Sequence, residues 1–379
     1  MHNNFLIFCK DNQEQLQLNS IDISFIHKIV ENTEFFEYPY LSSLSFKINK
    51  LDESDEKKYF ISELLKILNL SNKELLPYFL NNINNKTYSK SVNVIAPVVL
   101  FTYNKLNTLQ MTINSLLTNE ESSKSTLIIF SDGPKDILDE KRVNNVRNYI
   151  QTIEGFENID LNFNEQNYGL AKSIIDGINK VSDKYEQFIV LEDDLICSPY
   201  FLNYMNSSLS HFKNSENVWT INSMSCRPEI LKLNSKLNTD YYFTRRASSH
   251  GWGSWRSKWE LIDWDTNNLI KKSNNLFNKR RLEQAGGDVF RMLQDQHTDK
   301  IDSWAIRWVS NIAMNKGLCL TPFYSHTSHQ FSELGTHITQ RVKSLENDLT
   351  KSRPIFKFDK EVKLSKKINK AYTNIVYKK

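Results

Sequence analysis

At 379 residues, with 40% hydrophobic and 24% charged side chains, the chain has the make-up of an ordinary globular protein with room for one large or two smaller domains. Its longest apolar runs, such as residues 98–101, are far too short to cross a bilayer. The net charge of +4 hides an asymmetry: residues 351–379 hold ten Lys/Arg against two Asp/Glu, leaving 38 basic and 42 acidic residues in the rest. A mildly acidic body without a basic stripe argues against nucleic-acid binding. The four cysteines, Cys9, Cys197, Cys226 and Cys319, are scattered without a CxxC pair, which predicts reduced thiols, a cytoplasmic setting and no structural zinc. Residues 1–10 lack the basic and apolar regions of a signal peptide.

Residues 1–90 read as a mostly helical extension, with helical spacing at Ile61, Leu64, Leu65 and Leu68. The asparagine-rich stretch 81–93 reads as a linker. The pattern then alternates. Residues 94–102 predict a strand, 106–117 a helix, 127–130 a strand, 142–153 a helix, 159–163 a strand and 169–181 a helix. Such alternation implies right-handed βαβ units and a mainly parallel, doubly wound α/β sheet. A region rich in aromatics follows residue 200, with a further helix over 301–315, histidine-rich turns over 322–337, and a basic tail over 346–379. That tail, with Lys363, Lys366, Lys367 and Lys370, is suited to peripheral contact with an anionic membrane face.

The chemistry concentrates where strands end. Phe188-Ile189-Val190-Leu191 runs straight into Glu192-Asp193-Asp194, and adjacent carboxylates repel unless a cation or hydrogen-bond donors compensate. Mg²⁺ or Mn²⁺ shared with a diphosphate would do so; a solvated acidic turn is the plain alternative. The first strand ends at Thr102, followed by Asn104 and Lys105, where backbone N–H groups and a lysine suit phosphate, although Thr102 or Asn104 as a helix cap explains the same residues. Asp132 lies in a Ser-Asp-Gly-Pro turn placed to read a base or ribose. Lys172 stands in the helix start Asn167-Tyr168-Gly169-Leu170-Ala171-Lys172. These four clusters end successive strands on one edge of one sheet, where open α/β sheets bind ligands.

Glu-Asp-Asp-Leu followed by Ser-Pro-Tyr-Phe-Leu, after an Asp-Gly turn and an Asn-x-Gly-Leu-Ala helix start, resembles the inverting N-acetylglucosaminyltransferase I family and its bacterial relatives of the GT-A fold. Gly251-Trp252-Gly253, Asp302-Ser303-Trp304 and Gly335-Thr336-His337 follow in family order, so the resemblance spans about residues 94–340. It implies a GT-A nucleotide-diphospho-sugar transferase domain over 91–345, with a donor half to residue 200 and an acceptor half after it. Asp194 would bind Mn²⁺ or Mg²⁺, with His337 as an additional contact. Glu192 and Asp193 would hold ribose or metal-bound water, Asp132 would contact the base, and Thr102, Asn104 and Lys172 would complete the donor site. Gly251 and Trp252 would face the acceptor. Asp302 would be the general base, one residue away from the family's usual position because Ser303 fills the second place; Asp288, Asp299 and Glu333 remain alternatives.

The implied reaction is metal-dependent transfer of a sugar, with inversion, from a nucleotide-diphosphate donor such as a UDP-sugar to a glycan or lipid-linked saccharide. Such an enzyme would serve bacterial cell-surface polysaccharide synthesis from the cytoplasm or the inner membrane face. A nucleotidyltransferase acting on sugar phosphates would use a similar sheet and acids, but the glycine-rich loop usual after its first strand is missing at 101–105. A non-catalytic sugar- or nucleotide-binding module would be expected to have lost the acids. His326 and His329 read either as further site residues or as surface histidines, and a zinc site built from the three late histidines lacks a supporting acid or cysteine.

Overall fold

The structure is a computed structural model that describes residues 94–225, 241–329 and 362–376, together with 9–11, 57–61 and a few single residues. Most of the N-terminal extension, the loop around His337 and Glu333, and Cys226 lie outside the described residues.

The chain builds a mixed, mostly parallel sheet. Strands β1 (Val98–Thr102), β2 (Thr126–Ser131), β3 (Asn158–Phe163) and β4 (Gln187–Glu192) are parallel neighbours. They are separated by α1 (Leu106–Leu117), α2 (Ile137–Ile150) and α3 (Leu170–Lys184). The predicted order of strands and helices holds through this half, and α1 has the predicted bounds. Helix α2 begins five residues earlier than its apolar spacing suggests, because Asp136 caps it by accepting from the Asp139 N–H at 3.0 Å.

Alternate residues of the central strands point to opposite faces, and both faces are covered. Val98, Leu100, Ile129, Ile189 and Leu191 pack against α1, α2 and α4 (Phe201–Phe212). Val99, Phe101, Phe130, Phe188 and Val190 face α3 and the later helices. Ile174, Ile178 and Val181 of α3 are fully or almost fully buried there, each stabilising the fold by roughly 1.5–3 kcal/mol. Gly177 permits this close approach, since a Cβ would sit 2.7 Å from the Phe101 ring.

The second half is less regular. Strand β8 (Trp252–Trp255) runs antiparallel between β4 and β6 (Val218–Asn222), β9 (Leu318–Pro322) is parallel to β6, and β7 (Tyr241–Thr244) closes the edge antiparallel to β9. After α5 (Arg256–Trp259), helices α6 (Thr266–Ser273), α7 (Leu276–Ala285), α8 (Val289–His297) and α9 (Trp304–Met314) cover the face that α3 begins. A separate two-stranded ladder joins β5 (Leu195–Cys197) to β10 (Thr327–His329). Helix α10 (Lys366–Val376) carries the basic tail and packs on β7 and α7.

Candidate active site

Residues 188–191 are buried on both faces of the sheet, as their unbroken apolar run requires, and β4 ends at Glu192. Phe101 pairs with Glu192 across β1 and β4, so the segment after Thr102 lies beside Asp193 and Asp194. The Asp193 carboxylate accepts from the Thr102 hydroxyl at 2.8 Å and the Tyr103 N–H at 3.1 Å. Lys105 Nζ stands 3.2 Å from Asp193 and 2.7 Å from Asp194. Strand-end hydroxyl, amide and ammonium donors therefore compensate the clustered acids.

The ladder of β5 and β10 supplies the other side. It pairs Leu195 with His329, which brings the His329 Nε2 to 3.6 Å from Asp194. The ring of His250 lies 5.7 Å from that of His329. His250 precedes Gly251, whose φ of +85° suits glycine and where a Cβ would fall 2.4 Å from the Ser223 hydroxyl. Thr327 and Ser223 donate to the His250 carbonyl at 2.7 and 3.0 Å, tying this turn to β10.

Burial dominates the electrostatics. It pushes the Glu192 carboxyl up to about 8, with Asp194 adding repulsion. It also raises Asp193, against the opposing pull of Lys105. For Lys105 itself burial disfavours the charged form, but attraction to Asp193 and Asp194 outweighs it and holds the ammonium above its ordinary range. Burial lowers His329, with Asp194 pulling the other way, and takes His250 down to about 4, helped by His329. Neutral imidazole beside a carboxylate is a donor pair that suits a divalent cation. Among the described residues no group of three His, Cys, Asp or Glu side chains forms a metal site by itself.

The other residues singled out in the sequence fall elsewhere. Asp132 is not open to a base on both oxygens: Oδ1 accepts from the Gly133 and Tyr168 N–H groups and the Asn164 amide at 3.0–3.1 Å, and Oδ2 from the Gly169 N–H at 3.0 Å. It clamps two strand-end loops together. Asn104 turns to Asp139, which accepts from its amide at 2.6 Å and also from the Tyr103 hydroxyl. Lys172 points to solvent and pairs with Asp176 at 2.6 Å along the helix. Trp252, expected to face the acceptor, is 1% exposed and packs among Phe188, Trp259, Trp304 and Trp308; it is core and cannot stack on a sugar.

Asp302 lies just ahead of α9, which Ser303 caps. Its side chain is 70% exposed, 3.4 Å from Arg307. Of the alternatives, Asp288 is committed to a bidentate pair with Arg246 at 3.0 and 3.1 Å, and Asp299 sits in a turn with φ 55°. His326 is buried against Tyr204, with its Nδ1 3.0 Å from the Ser198 hydroxyl. His337 and Glu333 lie outside the described residues. His329 is thus the late histidine placed at Asp194. Lys105 was legible as a strand-end lysine but not as the partner of both acids, and His250 carried no signal apart from the Gly-Trp segment next to it.

The model of the GNT-I family matches residues 43–264, more than half of the chain. This chain belongs to the GNT-I family. It is accordingly a glycosyltransferase, and its sheet has the doubly wound arrangement of a GT-A fold. The family match includes the three acids and the His250–Trp252 turn, and it ends before Asp302 and His329. Solved structures show only distant likeness to this family member. A mannosyltransferase from Pyrobaculum calidifontis in complex with GDP-Man and Mn²⁺ shares 10% identity over 68% of this chain and 80% of its own, at a TM-score of 0.33. UDP-glucose pyrophosphorylase complexed with UDP-glucose shares 13% over 61% and 91%, at 0.32. Glucosyl-3-phosphoglycerate synthase from Mycobacterium tuberculosis, with Mn²⁺, UDP-glucose and phosphoglyceric acid, shares 13% over 65% and 80%, at 0.31. No curated protein matches the sequence.

Proposed function

We propose that this glycosyltransferase moves a sugar from a nucleoside-diphosphate donor, a UDP-sugar in our reading, to a hydroxyl of a glycan or lipid-linked saccharide with inversion at the transferred carbon. The observation that carries the reading is the convergence of Thr102, Tyr103, Lys105, Asp193, Asp194 and His329 at the carboxyl ends of adjacent parallel strands. Oxygen donors with a neutral imidazole fit Mn²⁺ or Mg²⁺. Asp194 would hold the ion with His329, and donor phosphate oxygens would complete the coordination that the side chains leave open. When bound, the ion supplies charge neutralisation to the departing diphosphate.

The protein's own groups do the rest. Lys105 is close enough to Asp194 to transfer its contact to a phosphate, adding a second positive charge where negative charge develops. Asp193 is oriented by Thr102 and Tyr103, which fixes it to accept from a ribose hydroxyl. Asp132 holds the loops that frame the donor. Asp302 is our choice for the base that takes the acceptor proton, because its carboxylate is solvent-accessible whereas Asp288 is held by Arg246. We place the reaction in cell-surface polysaccharide synthesis on the cytoplasmic side of a bacterial membrane. No helix among the described residues is long and apolar enough to cross a membrane.

Donor and base separate experimentally. A panel of UDP- and GDP-sugars with Mn²⁺ should yield at least one that raises the melting temperature and is hydrolysed slowly without acceptor. Asp302→Asn should lower transfer by about a hundredfold or more while leaving that thermal shift intact. Full transfer by Asp302→Asn would remove Asp302 as base, and a panel with no stabilising donor would overturn the donor reading.

A further inference from the structure

Away from the acids, helices α6 and α7 show an unusual combination. Residues 263–285 contain five Lys/Arg against three acids, Asp263, Asp265 and Glu283, and Lys272 pairs with Asp263 at 2.8 Å. At the start of α7, after the turn between the helices, Leu276 and Phe277 are 61% and 67% exposed; Ile137 and Leu138 at the start of α2 are exposed too, at 83% each, so it is the basic surroundings that set the α7 pair apart.

The turn is rigid. Asn275 caps α7 by accepting from the Phe277 N–H at 2.8 Å, and the Asn278 amide donates to the Lys272 carbonyl at 2.8 Å. Leu269, Leu282 and Ala285 anchor the two helices in the core. The apolar pair is therefore held out on a fixed base, flanked by exposed Lys271 and Arg280.

A second basic element joins this face. Asn369 of α10 accepts from the Arg245 N–H at 2.9 Å and donates to the Gln284 carbonyl of α7 at 2.7 Å. This docks the tail helix on the far end of α7 and leaves Lys366, Lys367 and Lys370 exposed. Ten residues of helix span about 15 Å, which is the distance along α7 from the Leu-Phe tip to the docked tail helix.

We propose that this face, formed by α6, α7 and α10, docks on an anionic lipid bilayer, with Leu276 and Phe277 entering the boundary between headgroups and acyl chains. Cations around an apolar tip match the charge and the layering of such a surface. An acidic polypeptide or nucleic acid would satisfy the lysines but leave the apolar pair in water. The surface deepens the reading of a lipid-linked acceptor, since it would bring the enzyme to the phase in which that acceptor is held.

Co-sedimentation of the full chain with vesicles tests this, using phosphatidylcholine alone or mixed in equal parts with phosphatidylglycerol. Binding is expected only to the mixed vesicles, weakening as salt rises. Leu276→Ser/Phe277→Ser should reduce the partition about tenfold, and Lys271→Glu/Arg280→Glu by about thirtyfold or more. Both variants should keep the wild-type thermal response to UDP with Mn²⁺, because neither pair touches the donor site. Equal binding to both vesicle types, no binding at all, or unchanged partition in both variants would overturn the proposal, as would capture of polyglutamate or duplex DNA without vesicle binding. Absence of vesicle binding by the wild-type protein, with its UDP response intact, would refute this surface alone. Absence of the UDP response in the wild-type protein would instead refute the donor reading.

Discussion

Strands β3, β2, β1 and β4 run parallel and finish at one edge in Asn164, Asp132, Thr102 and the three acids, whereas in the other group β8 and β7 run antiparallel to the parallel pair β6 and β9. The first group is sandwiched between regular helices. The second half buries a cluster of tryptophans and contributes to the site through the glycine turn at His250 and the β5–β10 ladder at His329. One half thus sets the three acids by strand geometry. The other sets histidines against them by a short ladder and a glycine turn. The difference teaches that position along a strand and position within a turn carry different amounts of readable information.

The sharpest way to break this contrast is Trp252. If it belongs to the core of the second half, Trp252→Ala should destabilise the protein by about 3–5 kcal/mol, measured by denaturant unfolding. A variant of wild-type stability that had lost only acceptor affinity would return Trp252 to the site.

His326 provides a smaller and pH-dependent test. Burial lowers its folded pKa to about 3, below the unfolded value of about 6.5. Between those values the unfolded chain binds the extra proton, so stability falls as pH drops below 6.5. The loss from this one group should reach about 1.4 kcal/mol at pH 5.5, and His326→Gln should flatten the stability–pH curve by that amount. An unchanged curve would mean that the imidazole is not held neutral. The smallest effect is expected in the first half, at Lys172. Because it is exposed and meets only its neighbours Asp176 and the Tyr168 ring, Lys172→Ala should leave the UDP response and the melting temperature unaltered. A weakened UDP response would restore its donor role.

Much of the first half was readable because burial on both faces leaves a plain mark: 188–191 is continuously apolar, and α1 has apolar side chains at helical spacing. The acids were legible as a site because they follow that run directly. Lys105 was visible as a strand-end lysine, but its closeness to Asp193 and Asp194 depends on β1 and β4 being neighbours, a matter of strand order that local sequence does not encode. His329 reached Asp194 through the pairing of β5 with β10, two three-residue strands too short for a periodic signal. Trp252 misled because a Gly-Trp segment looks the same whether its indole faces solvent or core. Asp132 stood out as a strand-end acid placed to read a base, but its four donors come from two loops 30 residues apart, and only the folded loops reveal the clamp.

The central claim is that Asp194, with His329 beside it, holds a divalent cation shared with the donor diphosphate. Titration of Mn²⁺ by electron paramagnetic resonance, with and without UDP, tests it most directly in the wild-type protein, Asp194→Ala and His329→Ala. Wild type should bind Mn²⁺ more tightly once UDP is present, Asp194→Ala should lose that binding, and His329→Ala should weaken it roughly tenfold or more. Wild-type binding of Mn²⁺ and UDP by Asp194→Ala would contradict the account.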